Sequence, residues 1–343
     1  MKIVIPGGSG QVGTVLARAF HGAGHEVVVL SRRPQMLPWR ASFWDGATRG
    51  AWCREVDGSD IVINLAGRSV NCRYTAHTRR DILESRVRAT RLVGGAIRDA
   101  RRPPRVWLQA ATATIYAHRY DAPNDETTGI IGGDEADAPP TWTFSIDVAR
   151  AWEHAFEEIA TPATRKVALR SAMTMSPDPG GIFDTLLRLA RFGLGGAAGG
   201  GRQFVSWIHF EDFVRAVGWL IDHDRISGVV NLASPNPLPN RDFMRILRRA
   251  SGHSIGFPAS RWMLELGAVF IRTETELILK SRRVVPGRLL HGGFTFHYPY
   301  WQEAADDLCG RWRARRGNNA LVDRDANARV GGSSFPVSSR RPS

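Results

Sequence analysis

Cysteine, lysine and long apolar runs are all scarce in this chain of 343 residues. Its three cysteines, Cys53, Cys72 and Cys309, are odd in number and widely spaced, so neither a disulfide framework nor a thiolate metal site is expected. No apolar run reaches the ~18 residues that a membrane-spanning helix needs. The first residues lead straight into a glycine turn rather than into the apolar stretch and cleavage site of a signal peptide, so a cytoplasmic location is expected.

The remaining composition is that of an ordinary globular protein, with 43% hydrophobic and 23% charged residues. These values exclude collagen-like, coiled-coil and wholly disordered chains. The length is about twice the ~150 residues of an average domain, so one large domain or two joined domains are expected.

The net charge of +13 comes almost entirely from arginine, since only three of the 46 basic residues are lysines. Residues 313–343 are rich in Arg, Gly, Asn and Ser without periodicity, which predicts a disordered basic tail. A body this basic suits an anionic partner, either nucleic acid or a phosphorylated small molecule. The chain lacks any basic run interleaved with stacking aromatics, so nucleic acid is not the expected partner.

Strands and helices alternate along most of the chain. Continuously apolar segments predict strands at residues 2–5, 26–30, 60–65, 105–110, 166–169 and 229–232. Helical spacing predicts helices at residues 14–21, 78–100, 144–159, 211–222, 242–250 and 261–271. This order is typical of an α/β fold with a doubly wound parallel sheet, a Rossmann domain, here predicted over residues 1–235. Residues 236–312 are predicted to form a smaller C-terminal segment packed on the substrate side.

The loop after the first strand reads Gly-Gly-Ser-Gly-Gln-Val-Gly from position 7 and fits both G-x-G-x-x-G and G-x-x-G-x-x-G. Such glycines form a tight turn, let the backbone approach a pyrophosphate and let helix and strand pack closely. The start of the following helix offers free N–H groups to phosphates. A dinucleotide site is therefore predicted, and a merely structural glycine turn is the alternative. The predicted contacts are Gly7, Ser9, Gly10, Gln11, Val12 and Gly13.

The end of the second strand favours one form of the dinucleotide. An NAD site usually has Asp or Glu there to hold the ribose 2′-hydroxyl. This chain has Ser31-Arg32-Arg33 instead, and a guanidinium suits a 2′-phosphate in charge and in shape. NADP(H) is therefore favoured over NAD(H), the alternative being that Arg32 and Arg33 are ordinary surface arginines.

Further motifs follow the later strands. They are Asn64-Leu65-Ala66-Gly67, Thr112-Ala113-Thr114-Ile115-Tyr116, Leu169-Arg170-Ser171 and Trp207-Ile208-His209-Phe210-Glu211-Asp212. With the glycine loop, they make the chain resemble the extended short-chain dehydrogenase/reductases of the epimerase/dehydratase family. Other pieces resemble the subgroup of that family with an added C-terminal domain of unassigned function. These pieces are Glu84-Ser85-Arg86, Trp152-Glu153, Gly201-Arg202-Gln203 and the segment from Arg282 to Phe294.

The resemblance implies roles for several residues. Thr112 takes the place of the catalytic Ser or Thr that bonds the reacting oxygen, and Leu65, Ala66 and Gly67 line the cofactor. The alternative for Thr112 is a strand-end hydroxyl bonded to its own backbone. Family members often dimerise through the helices before and after the fifth strand, so the resemblance leaves a homodimer open.

The acid/base pair used by most of the family, a Tyr with a Lys four residues later, is absent. None of the five tyrosines is followed by lysine at that distance. When Trp152-Glu153 anchors the alignment, the two positions hold Ser145 and Ala149. The candidate proton donors near the expected site are Thr112, Tyr116, His118, Ser145 and Asp147. Tyr116 is expected to pack in its turn, as the corresponding family tyrosine does.

Two functions remain open at this point. The protein is either an NADP(H)-dependent oxidoreductase or epimerase acting on a small molecule by hydride transfer, or a binding protein that has kept the cofactor site and lost the reaction. The ten histidines form no metal-binding pattern, so no metal is expected.

Overall fold

A seven-stranded parallel sheet organises the chain. The computed structural model describes residues 1–135, 140–258 and 279–330. The strands are β1 (Lys2–Pro6), β2 (Glu26–Ser31), β3 (Arg40–Phe43), β4 (Ile61–Asn64), β5 (Val106–Thr112), β6 (Arg165–Ser171), β7 (Met173–Met175), β8 (Phe204–Val205), β9 (Trp207–His209), β10 (Gly228–Leu232) and β11 (Leu238–Pro239). The large sheet has the order β3-β2-β1-β4-β5-β6-β10, with every pair parallel.

Helices cover both faces of this sheet. The described helices are α1 (Gln11–Gly22), α2 (Cys53–Val56), α3 (Ala76–Arg98), α4 (Pro140–Glu157), α5 (Ile182–Arg191), α6 (Phe210–Asp222), α7 (Asn240–Ala250), α8 (Gly287–His291) and α9 (Trp301–Val330). The predicted doubly wound α/β fold is therefore confirmed.

The two faces of the sheet hold separate hydrophobic cores because successive strand residues point to opposite sides. Ile3 and Ile5 of β1 pack with α1 and α6 on one face. Val4 lies on the other face, in the cluster that contains residues of α3 and α4. Burial on both faces explains why these strands are continuously apolar.

A third hydrophobic core joins the C-terminal helices to the small strands. It contains Phe183 of α5, Trp207 of β9, Phe243 of α7 and Trp301 of α9. The Trp301 ring stacks on Phe243 with ring centroids 4.1 Å apart, and its Nε1 donates to the Phe243 carbonyl oxygen at 3.0 Å. Since β7 follows β6 after a single residue, this layer begins at the carboxyl edge of the large sheet.

The C-terminal part of the chain is more helical than its composition predicts. Helix α9 continues through residues 313–330, for which composition predicted disorder, and its first turns are held by the third core. The helix predicted at residues 261–271 and the segment 331–343 lie outside the described residues. None of the described helices is long and apolar enough to cross a membrane.

Candidate functional site

The glycine loop between β1 and α1 is packed tightly at three of its four glycines, most closely at Gly7 and Gly13. Gly7 has a φ of 74°, and an added Cβ would lie 2.7 Å from the Cα of Ala66. An added Cβ at Gly13 would lie 2.4 Å from the Cα of Gly8. Only glycine fits such contacts, so the loop after β1 lies directly against the loop after β4 and against the start of α1.

Gly10, in contrast, leaves space in front of α1. A Cβ at Gly10 would meet nothing closer than the Gly7 carbonyl oxygen at 3.7 Å. Gly10 precedes α1 without a side-chain cap, and the first turn of the helix holds no acidic residue. The N–H groups of Gln11, Val12 and Gly13 and the positive end of the helix dipole therefore remain available to an anion.

Two side chains of the loop support the same interpretation. The hydroxyl of Ser9 lies 3.1 Å from that of Ser31 at the end of β2, which joins the first two loops of the site. The buried Nε2 of Gln11 has no hydrogen-bond partner among the described residues. A cofactor that placed an acceptor beside this amide would satisfy it.

The carboxyl end of β2 presents cations and no carboxylate. The Ser31 hydroxyl accepts a hydrogen bond from the N–H of Arg33 at 3.2 Å, which fixes the turn. The side chains of Arg32 and Arg33 are exposed, and neither forms an ion pair with any residue that the structure describes. Both guanidinium groups are therefore free to pair with a phosphate.

The segment Leu65-Ala66-Gly67 crosses the sheet edge between β1 and β4. The N–H of Leu65 donates to the Pro6 carbonyl oxygen at 2.8 Å. Ala66 donates to Oδ1 of Asn64 at 3.1 Å, and the Asn64 amide donates to Oε1 of Gln109 at 2.9 Å. The buried Asn64 thus links the loop after β4 to strand β5.

A cavity of about 120 Å³ lies where α3, α4 and the end of β5 meet. It is lined by Val70, Tyr74, Ile82, Arg86, Thr112, Thr114, Phe144, Ser145, Val148 and Trp152. Two of the five candidate proton donors, Thr112 and Ser145, therefore line one cavity, although they lie far apart in sequence.

The Thr112 hydroxyl caps the short helix of residues 113–115. Its oxygen accepts a hydrogen bond from the N–H of Thr114 at 3.2 Å. This is the backbone contact that the structural alternative foresaw. An oxygen that accepts such a bond keeps its O–H as a donor, so Thr112 still has one proton to offer a substrate oxygen.

Tyr116, another of the candidate proton donors, does not line this cavity. Its buried hydroxyl lies 2.9 Å from Oδ1 of Asn231 and accepts a bond from Nη1 of Arg170 at 3.0 Å. Arg170 is in turn held by both carboxylate oxygens of Glu153. Burial raises the pKa of Tyr116, which opposes loss of its proton near neutral pH. Tyr116 is therefore held by hydrogen bonds within the fold, and we assign it a structural role.

The two other candidate proton donors also lie elsewhere. The Nδ1 atom of His118 accepts a hydrogen bond from the N–H of Ser281 at 2.7 Å, and burial lowers its pKa. Asp147 is exposed on α4. Neither side chain lines the cavity that holds Thr112.

Sequence reasoning missed two residues of the cavity wall, Tyr74 and Arg86. The Arg86 guanidinium lies over the Trp152 ring at 5.0 Å from its centroid, and burial lowers its pKa to about 10. Nη1 of Arg86 donates to the carbonyl oxygens of Arg68 at 2.9 Å and Ile82 at 3.0 Å. Position 86 is one helical turn after the buried Ile82, and this spacing could have placed Arg86 on the inner face of α3.

The fold and the geometry of the site define a Rossmann-type nucleotide-binding protein of the short-chain dehydrogenase/reductase type. The chain belongs to the NAD dependent epimerase/dehydratase family, whose model matches residues 3–233. Residues 259–308 match a second model, a domain of unknown function called DUF1731. Both matches agree with the resemblance seen in the motifs.

Similar proteins come from animals and bacteria. Epimerase family protein SDR39U1 of Bos taurus is 30% identical over 303 residues, which are 87% of this chain and 96% of the relative. Epimerase family protein YfhF of Bacillus subtilis is 28% identical over 312 residues, covering 90% of this chain and 98% of the relative. The crystal structure of human SDR39U1 with NADPH matches with a TM-score of 0.78 at 28% identity and covers 90% of this chain and 99% of that one.

Proposed function

We propose that this protein binds NADP(H) and transfers hydride between that cofactor and a small substrate held in the cavity beside Thr112. The observation that carries the cofactor assignment is the pair of unpaired guanidinium groups, Arg32 and Arg33, where an NAD site would have a carboxylate. The human relative crystallised with NADPH supports the same choice.

The glycine loop would hold the pyrophosphate. The backbone can approach phosphate at Gly10, because the space above its Cα is open, while Gly7 and Gly13 hold the loop against its neighbours. Arg32 and Arg33 would pair with the 2′-phosphate. The free N–H groups of α1 would offset the pyrophosphate charge.

The residues of the cavity would orient the substrate and polarise its reacting bond. When bound, the nicotinamide supplies or accepts the hydride. The O–H of Thr112 would donate to the carbonyl or hydroxyl oxygen of the substrate and so stabilise the charge that develops there. Ser145 lines the same cavity. The alignment anchored on Trp152-Glu153 assigns it the position where most of the family has tyrosine.

A second candidate function is NADP(H) binding without a reaction. It is favoured by the chemistry of the cavity wall, because none of its described lining residues is Asp, Glu, His or Lys. Oxidation of NADPH that depends on an added carbonyl compound is expected only for the first function. Tight NADPH binding with no such oxidation would favour the second.

The cofactor assignment is tested by fluorescence titration with NADPH and NADH. The Arg32→Ala, Arg33→Ala double variant is expected to lose about 10- to 100-fold in NADPH affinity and little in NADH affinity, since two charge-assisted contacts would be lost. Arg54→Ala is the matched control, because Arg54 is exposed and lies far from the predicted cofactor site. Its neighbour Glu55 pairs with Lys2 at the amino end of β1, whereas Arg32 and Arg33 lie at the carboxyl end of β2. Binding of NADH as tight as that of NADPH would contradict the preference, and binding of neither would contradict the site.

A further inference from the structure

Arg86 is a partly buried cation without a carboxylate partner among the residues that the structure describes. Its Nη1 bonds two backbone carbonyl oxygens, and its Nε and Nη2 bond to none of the described side chains. Arg170, buried beside α4, shows the contrast, because both carboxylate oxygens of Glu153 neutralise it. A buried charge is costly unless something pairs with it. An anion that bonded the remaining N–H groups of Arg86 would therefore neutralise its charge.

The cavity gives this cation a small and mostly apolar chamber. Among the residues that the structure describes, Arg86 is the only charged one on its wall. Side chains of Val70, Ile82, Phe144, Val148 and Trp152 supply the apolar part. The hydroxyl-bearing residues are Tyr74, Thr112, Thr114 and Ser145. A ligand that fits has a short apolar body, one anionic group and one oxygen that accepts a hydrogen bond.

We propose that this cavity binds the carboxylate of a short-chain hydroxy or oxo acid through the free edge of Arg86, with the neighbouring oxygen of that acid at Thr112. The proposal deepens the proposed function by naming the substrate class, and it rests on that function for the reaction but not for binding. A guanidinium edge matches the two oxygens of a carboxylate in a planar, two-bond arrangement.

Carboxylate fits this wall better than phosphate does. A phosphate dianion needs more than one cation or a run of free N–H groups, as at the start of α1. Among the described residues, the cavity wall offers one guanidinium. The lining residues of α3 and α4 lie in the second turn of each helix or later, away from the helix starts at Ala76 and Pro140. The mostly apolar lining with a single cation favours a ligand that has a short carbon chain and one anionic group.

The test is calorimetric titration of the full chain, with and without saturating NADPH, using 2-oxopentanoate, its neutral amide 2-oxopentanamide and inorganic phosphate as probes. We expect the acid to bind about 10- to 100-fold tighter than the amide, because only the acid pairs with Arg86. This comparison needs no variant. Equal binding of acid and amide, no binding of the acid, or tighter binding of phosphate would overturn the proposal.

Variants then locate the charge. Arg86→Gln is expected to remove the preference for acid over amide, and Arg86→Lys is expected to restore part of it, since lysine keeps the charge but not the planar edge. Arg88→Gln is the matched control, because Arg88 lies on the exposed face of the same helix and pairs with Glu84 at the surface. An Arg86→Gln chain that unfolds at the wild-type temperature but loses NADPH affinity instead would place Arg86 in the cofactor site. A wild-type chain that binds the acid but no NADPH would contradict the proposed function alone.

Discussion

Single residues of the glycine loop differ in what a methyl group would meet there. At Gly13 an added Cβ would lie 2.4 Å from backbone, whereas at Gly10 the nearest atom would be 3.7 Å away. Gly10 has a φ of −74°, which alanine adopts without strain. The fold therefore requires glycine at position 13 but has no need of it at position 10, and only a ligand that approaches the backbone would explain Gly10.

Alanine at these two positions separates the two requirements. Gly13→Ala is expected to lower the free energy of unfolding by about 1–3 kcal/mol, because the loop and the helix must move apart. Gly10→Ala is expected to leave the free energy of unfolding within about 0.5 kcal/mol of wild type and to weaken NADPH binding by tenfold or more. Urea unfolding and fluorescence titration measure the two quantities. If Gly10→Ala bound NADPH as the wild type does, the pyrophosphate would not lie over this glycine.

Residues that are close in sequence were the ones that sequence could place. The glycine loop begins directly after β1, and the Arg32-Arg33 pair directly follows β2. The positions of the two strands are therefore enough to place both at the carboxyl edge of the sheet. Arg86 and Tyr74 were missed because the cavity forms only when α3, α4 and β5 pack together. That packing depends on distant side chains such as Trp152, whose Nε1 donates to Thr90 at 3.0 Å.

At the scale of elements, a buried polar cluster joins β6 to α4. Nε and Nη2 of Arg170 donate to the two carboxylate oxygens of Glu153 at 2.8 and 2.7 Å, and Nη1 donates to the Tyr116 hydroxyl. The Tyr116 hydroxyl reaches Asn231 of β10. The cluster thus fixes α4, and with it Ser145, relative to three neighbouring parts of the sheet.

Breaking this pair is expected to be costly. Glu153→Gln would leave the buried Arg170 without its counter-charge and lower the free energy of unfolding by about 3–5 kcal/mol. Glu158→Gln is the matched control, because Glu158 pairs with Arg91 at the surface, where such pairs contribute about 0–1 kcal/mol. Urea unfolding of both variants measures the difference, and similar losses would show that the cluster does not hold α4.

Elements were predictable where burial made their pattern simple. The six predicted strands of the sheet are continuously apolar because helices cover both faces, and all of them occur. Strand β3 was missed because it is a short edge strand with partly exposed residues that include Arg40. The composition of residues 313–330 gave no sign of helix α9, since its nearer end is held by contacts with distant residues such as Phe243.

At the scale of the whole molecule, His209 links the sheet domain to helix α9. The His209 side chain is fully buried, and its Nε2 lies 3.1 Å from a carboxylate oxygen of Asp307. Burial lowers the pKa of His209 to about 4, so the imidazole is neutral in the folded protein near neutral pH. Arg311 of α9 joins the same two parts of the molecule, since its Nη2 lies 2.6 Å from Oε1 of Glu211, two residues after His209.

This histidine makes stability depend on pH in a stated direction. The unfolded chain binds a proton at His209 near pH 6.5, while the folded chain does so only near pH 4. The contribution of His209 is therefore complete above pH 6.5 and decreases as pH falls toward 4, by about 3 kcal/mol in total. Urea unfolding at a series of pH values is expected to show a flatter dependence for His209→Asn than for wild type. The exposed His21→Asn should keep the wild-type dependence, and an unchanged slope in His209→Asn would contradict the assignment.

The order of the strands also bears on how such a protein diverges from its relatives. The chain adds strands outward in one direction from β1 to β3 and in the other direction from β4 to β10. Residues after β2 therefore lie on one half of the sheet, and residues after β5 and on α3 lie on the other. Under the proposed function, coenzyme choice and substrate choice would therefore be encoded on separate stretches of chain. A lineage that exchanged Arg32 and Arg33 for an acidic residue would change its coenzyme without touching the cavity, and one that changed Arg86 would explore new substrates while keeping its reductant.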